Sequence, residues 1–121
     1  MPTQEHMKQV LQAYIDAFNA GDAAAITGLY AEDAVVEDPV GNPQLVGRAA
    51  IEEFYTGAIA GGAKLGLDGP IRGSHGDRAA MAFTIDVPGL RIRAIDVMTF
   101  GADGKIVRMD AHWGPDDIEK T

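Results

Sequence analysis

The sequence predicts an α+β protein whose helices and strands are segregated along the chain. Three observations carry this. Apolar residues recur every three or four positions before residue 60, alternate after residue 64, and are punctuated throughout by Gly- and Pro-containing turns. At 121 residues the chain is expected to be one domain, 1–121, with about two-thirds of its surface buried on folding.

Met7, Val10, Leu11, Tyr14, Ala17 and Phe18 fall on one stripe of a first helix, with Thr3 as N-cap and Gly21 as stop. Asp22 caps a short second helix carrying Ile26, Leu29 and Tyr30. A third follows Gly47, sets Ile51, Phe54, Tyr55, Ala58 and Ile59 on one face, and ends at Gly61-Gly62. Between the second and third helices, Ala34 to Val40 reads as a short extended segment closed by Pro39 and the Gly41-Asn42-Pro43 turn. Leu65 to Arg72 is interrupted by Gly69-Pro70, so a kinked strand is expected. Ala79 to Val87 alternates well, with Met81, Phe83, Ile85 and Val87 on one face. Pro88-Gly89, a dipeptide suited to a type II turn, leads into a strand from Leu90 to Phe100. After Gly101-Ala102-Asp103-Gly104 the last strand runs from Ile106 to Trp113. The tail with Pro115, Asp116 and Asp117 is expected to be solvated.

Composition narrows the function. Hydrophobic residues make up 46% and charged residues 23%, the balance of a packed protein and not of a disordered one. The formal net charge of −8, with ten scattered basic residues, disfavours nucleic acid or an anionic membrane surface as partner. The absence of cysteine excludes a disulfide framework, a thiol nucleophile and thiolate metal sites. With no membrane-length apolar run and no apolar signal core at the N-terminus, a soluble cytoplasmic protein is expected.

Sorting the strands by face exposes two misplaced carboxylates. The even positions of the penultimate strand read Leu90, Ile92, Ala94, Asp96, Met98, Phe100, and those of the short segment Ala34, Val36, Asp38, Val40. An unpaired carboxylate leaving water must be hydrogen-bonded, paired with a cation, or protonated. No basic residue shares either face, since Arg91 and Arg93 point the other way; a more distant cation such as Arg72 stays open. Desolvation without a cation raises an acid's pKa, which yields a general base or a neutral hydrogen-bond donor. A structural carboxylate satisfied by backbone amides is the other reading of each acid alone.

All three tyrosines, Tyr14, Tyr30 and Tyr55, lie on apolar helix stripes, where a phenol needs a partner for its hydroxyl. Each alone fits a core residue. Converging with the two acids, they would make a polar network in an apolar shell, the pattern of a small-molecule site. His6, His75 and His112 lack metal-ligand spacing, Ser74 is the only serine and sits in a turn, and no glycine-rich loop opens a helix.

These residues also carry a resemblance. The chain from about Glu5 to Trp113 resembles the Δ5-3-ketosteroid isomerases, members of the cone-shaped α+β fold shared with nuclear transport factor and several small hydrolases and cyclases. The matching stretches are Gln12-Ala-Tyr14, Tyr30-Ala-Glu-Asp-Ala-Val-Val-Glu-Asp38-Pro, Glu53-Phe-Tyr55, Gly69-Pro-Ile-Arg-Gly-Ser-His75, Ala80-Met-Ala-Phe83 and Ile95-Asp96-Val-Met98. The resemblance implies three helices on a curved sheet enclosing a cone-shaped pocket. It implies Asp38 as the base that moves a proton from carbon 4 to carbon 6 of a 3-oxo-Δ5-steroid, through a dienolate. Tyr14 and a protonated Asp96 would donate to the dienolate oxygen, a neutral-acid device known in that family. Tyr30 and Tyr55 would stand behind Tyr14 in a hydrogen-bonded chain. Val36, Phe54, Met81, Phe83, Ala94, Met109 and Trp113 would line the steroid pocket. Neither a cofactor nor a metal is implied. A homodimer is, through the open sheet face that carries Ile95 and Val97. Against these stand a non-catalytic binder of a steroid-like or polyketide-like ligand, and a hydrolase of the same fold. An epoxide hydrolase would want an arginine between two acids, which neither strand face supplies. The Val87-Pro88-Gly89-Leu90 connection is shorter than the best-known members of the family would lead one to expect, which bears on the pocket's far end.

Overall fold

In the computed structural model, which describes residues 2–121, three helices lie across the concave inner face of a curved, seven-stranded mixed sheet. Helix α1 (Gln4–Asn19) begins where Thr3 Oγ1 accepts from the His6 amide at 3.1 Å, and it buries Met7, Val10, Leu11, Tyr14, Ile15 and Phe18. Its C-terminus is tied to the sheet by Asn19. The Asn19 amide donates to the Leu65 carbonyl and its oxygen accepts from the Leu65 amide, both at 2.8 Å. Helix α2 (Ala23–Thr27) is capped by Asp22. Helix α3 (Arg48–Ala60) follows Gly47, whose φ of +88° favours glycine, and buries Ile51 and Tyr55.

The strands are β1 (Tyr30–Glu37), β2 (Leu45–Val46), β3 (Lys64–Leu67), β4 (Arg78–Val87), β5 (Leu90–Phe100), β6 (Ile106–His112) and β7 (Ile118–Lys120). They are ordered β2-β1-β6-β5-β4-β3, and β7 pairs with β5. All ladders are antiparallel except β1 with β6. The kink expected at Gly69-Pro70 is present: β3 ends at Leu67, and Arg72 rejoins the sheet as an isolated bridge to Ala80. Val87 faces Leu90 across Pro88-Gly89, with Gly89 at φ +90° as a type II turn requires.

Four expectations need correction. Tyr30 is not on the second helix, because α2 stops at Thr27 and Tyr30 opens β1. The extended segment therefore starts four residues earlier than Ala34, and it ends at Glu37, so Asp38 stands just past the strand. Val40 is 48% exposed and does not share the buried face of Ala34 and Val36. The tail is not free: Ile118 pairs with Ile92 and Lys120 with Leu90, while the Thr121 amide donates to the Gly89 carbonyl. Its side chains are exposed, so no hydrophobic pattern announced it. The pairing arises because β6 covers β5 only from Ile95 onward, leaving an edge of free backbone groups. The short strand β2 was likewise missed, being two residues long and polar in context.

Candidate active site

The inner face of β4 and β5 is arranged in rows across the sheet. Met81, Asp96 and Ala111 are direct neighbours across β4, β5 and β6, and Phe83 and Ala94 form the next row toward the hairpin. The alternation that put Asp96 among apolar residues thus drives it into the core, at 1% exposure. Its two carboxylate oxygens are buried and have no hydrogen-bond partner among the described residues. An ionised carboxylate there would be strongly penalised, so its pKa is raised well above the usual carboxylate range, by burial first and by the charge of Asp38 second. Burial of both oxygens away from any cation favours the protonated, neutral form of Asp96.

Asp38 is half-buried at the end of β1. Trp113, which leaves β6 at the same end, donates its indole N–H to Asp38 Oδ1 at 3.1 Å. Burial raises the pKa of Asp38 and the indole hydrogen bond opposes it. The result is a moderate base in a partly dry setting. No cation pairs with either acid among the described residues. Arg72, the cation left open above, is exposed and donates to the Pro70 carbonyl.

The three phenols meet. Tyr55 is the hub: Tyr14 Oη donates to Tyr55 Oη at 3.1 Å, and the Tyr30 and Tyr55 hydroxyls share a proton bond at 2.7 Å. The rings of Phe54 and Tyr14 stand edge-on to Tyr55 at 5.2 and 5.6 Å, which fixes its orientation. At the start of β1, Arg48 donates from Nε and Nη2 to the Tyr30 carbonyl and pins the far end of the chain. All three phenols are raised well above the usual value, burial being the largest cause for each. A hydroxyl chain can carry its protons in either direction. Reversed, so that it runs from Tyr30 to Tyr55 to Tyr14, the chain would free the Tyr14 O–H to donate to a ligand and support that bond from behind.

Asp38, Tyr14 and Tyr55 border one cavity of about 140 Å³, whose other walls are Phe18, Phe54, Ala58, Ala63, Leu65, Phe83, Ile85 and Trp113. A larger depression of about 510 Å³ at Gln4 and residues 73–76 is open to solvent and holds no buried titratable group. The chemistry that the small cavity offers is proton abstraction by Asp38, with an anion stabilised by neutral O–H donors.

The model of the SnoaL-like domain matches residues 11–109. The chain belongs to the SnoaL-like family. It is 44% identical over 119 residues, 95% of each chain, to a protein described as a steroid Delta-isomerase of Nocardioides simplex, which supports its place among the ketosteroid isomerases. It is 31% identical over 129 aligned positions to the epoxide hydrolase LasB of Streptomyces lasalocidi, covering all of this chain and 46% of that longer protein. A solved structure of the epoxide hydrolase/cyclase-like enzyme SalBIII, described in connection with pyran ring formation in the polyether salinomycin, superposes with a TM-score of 0.92 at 29% identity, covering all of both chains.

Within this SnoaL-like fold the expected site residues divide into two groups. Asp38, Tyr14, Tyr55, Phe54, Phe83 and Trp113 border the cavity, and Tyr30 joins through Tyr55. Asp96, Val36, Met81, Ala94 and Met109 are at most 5% exposed and do not border it. Asp96 and Met81 sit one row deeper than Phe83. Sequence reasoning did not assign Phe18, Ala58, Ala63, Leu65 or Ile85 to the site. Phe18, Ala58 and Ile85 were visible as members of apolar stripes, but periodicity gives the inward direction and not which inward residue meets the void. Ala63 falls between the Gly61-Gly62 break and the alternation that starts after residue 64, and Leu65 only opens the expected kinked strand.

Proposed function

We propose that this chain is a 3-oxo-Δ5-steroid isomerase that moves the double bond to the conjugated Δ4 position. The observation that carries this reading is a buried Asp96 and a half-buried Asp38, neither paired with a cation among the described residues, beside a chain of three phenols. Asp38 takes a proton from carbon 4, and the electron pair moves into a dienolate whose oxygen is directed past Phe83 toward Tyr14 on the cavity wall and Asp96 one row deeper. Asp38 then returns the same proton to carbon 6, so the site ends as it began. Tyr14 and the neutral Asp96 hold the dienolate oxygen by donating O–H bonds that strengthen as negative charge develops there. The general base contributes about 10²–10⁴-fold, and each oxygen donor about 10²–10³-fold. The ligand is a hydrophobic small molecule held by Phe18, Phe54, Phe83, Ile85 and Trp113. The similarity to steroid Delta-isomerase supports the same reading.

Epoxide hydrolysis, the activity named for LasB, is the second reading, favoured by the similarity of fold and sequence. It fits the residues less well, because an epoxide oxygen and an attacking water would need a cation near the acids. One assay separates them. Purified protein with 5-androstene-3,17-dione is followed by the ultraviolet absorbance of the conjugated enone, in parallel with diol formation from an aryl-alkyl epoxide. Enone formation well above buffer is expected; diol formation alone would overturn the reading.

A further inference from the structure

The two-residue turn at Pro88-Gly89 has a consequence at the open end of the pocket. So short a connection adds no segment over the inner face there. Leu90 and Ile92 are left half-buried and Ile118 is 41% exposed, although all three are apolar. Residues directly opposite across an antiparallel ladder place their side chains on one face. Leu65 faces Ile85, Ile85 faces Ile92, and Ile92 faces Ile118. Leu65 and Ile85 are cavity walls. An unbroken apolar row therefore runs from the cavity wall across two further strand spacings, about 10 Å, to Ile118 on the C-terminal strand.

Depth along β5 shows what this row meets. From Asp96 to Ile92 the strand advances four residues, about 13 Å. A ligand with its oxygen at Asp96 thus brings its far end over Ile92. The cavity's 140 Å³ falls short of the roughly 300 Å³ or more that encloses a drug-sized ligand, so a four-ring molecule extends beyond it, and this row continues the cavity's Leu65–Ile85 wall. We infer that Ile92 and Ile118, continuous with Leu65 and Ile85, form a distal subsite for an aliphatic substituent at carbon 17 of the steroid. The inference rests on the isomerase reading for the direction in which the ligand lies. Its occupant is the substrate's own tail, because the row is continuous with the cavity that holds the rings.

The test compares 5-cholesten-3-one with 5-androstene-3,17-dione, both delivered from one cyclodextrin stock, as the ratio of kcat/KM for the long over the short substrate. Each buried methylene is worth about fourfold in affinity, so loss of one to two contacts makes about tenfold. Ile118→Asp is expected to lower the ratio about tenfold and Ile118→Ala by less. Val46→Asp, at a residue 63% exposed on the far edge strand, leaves the ratio unchanged. An unchanged ratio in Ile118→Asp, or an equal fall in Val46→Asp, overturns the subsite. So does a change of Ile118→Asp in native mass without a change in ratio, which would mean that a second copy covers the row. If neither steroid turns over, the isomerase reading fails. The subsite is then judged by the Kd of the two conjugated 3-oxo-Δ4 steroids, read by quenching of the single tryptophan, Trp113. The same tenfold loss for the long one supports it, and equal binding overturns it.

Discussion

Replacing Asp96 by Asn should change how stability depends on pH more than it changes stability itself. Asp96 is fully buried, its oxygens have no hydrogen-bond partner among the described residues, and burial lifts its pKa well above the usual range. In the unfolded chain it titrates near 3.9. Between that value and its folded pKa the native state holds one proton that the unfolded state has released. The stability this contributes is fully present below the unfolded pKa and is lost as pH rises toward the folded one. While the native acid stays protonated, the slope is about 1.4 kcal/mol per pH unit. Wild type should thus lose stability relative to Asp96→Asn as pH rises above the unfolded value, for as long as the native acid keeps its proton, because the amide has no proton to lose. Urea unfolding followed by Trp113 fluorescence and circular dichroism at pH 5, 6 and 7 gives the difference directly. Parallel stability curves would mean that Asp96 is ionised in the fold, and the neutral-donor role would fall with it. A proton kept by Asp96 at pH 7 would leave the folded protein at about −7, one unit less than its formal −8.

Other outcomes follow from the same contacts. Trp113→Phe removes the hydrogen bond that holds the Asp38 pKa down against burial. The acid limb of the kcat/KM profile should move to higher pH by about one unit, since a bond to a charged group is worth about 1.5–3 kcal/mol. A limb that stays in place would separate Asp38 from the rate-determining base. Tyr14→Phe should lower kcat by about 10²–10³-fold, with Tyr30→Phe and Tyr55→Phe milder; a larger loss from either would reverse the order assigned to the chain. In stability the ranking inverts. Tyr55→Phe strips the partner from two buried hydroxyls and should cost about 1–3 kcal/mol for each, more than either terminal phenol in urea unfolding.

What the sequence revealed of this fold follows the physics of each residue. Alternation placed Asp96 inside because a strand's period is fixed at two, and every neighbour on its face was apolar. Helical spacing turned Tyr14 and Tyr55 inward for the equivalent reason. It could not show that their hydroxyls touch, because that depends on how α1 crosses α3 and not on either helix. Tyr30 was misplaced because Ile26, Leu29 and Tyr30 also satisfy a helical spacing, while Gly28 ends α2 before the last two of them. The polar tail gave no sign of β7, whose pairing is a property of the β5 backbone exposed beside it. The roles of Asp38 and Asp96 came from the resemblance to ketosteroid isomerases. Face analysis supplied only that both acids leave water.

The central claim is that Asp38 moves the proton while other residues hold the steroid. It is tested most directly by Asp38→Asn, with 5-androstene-3,17-dione turnover measured alongside the Kd of a phenolic steroid analogue. Turnover should fall by at least the 10²–10⁴-fold of a general base, and the phenol should bind as tightly as before or tighter. Loss of binding in step with turnover, or retention of turnover, would contradict it.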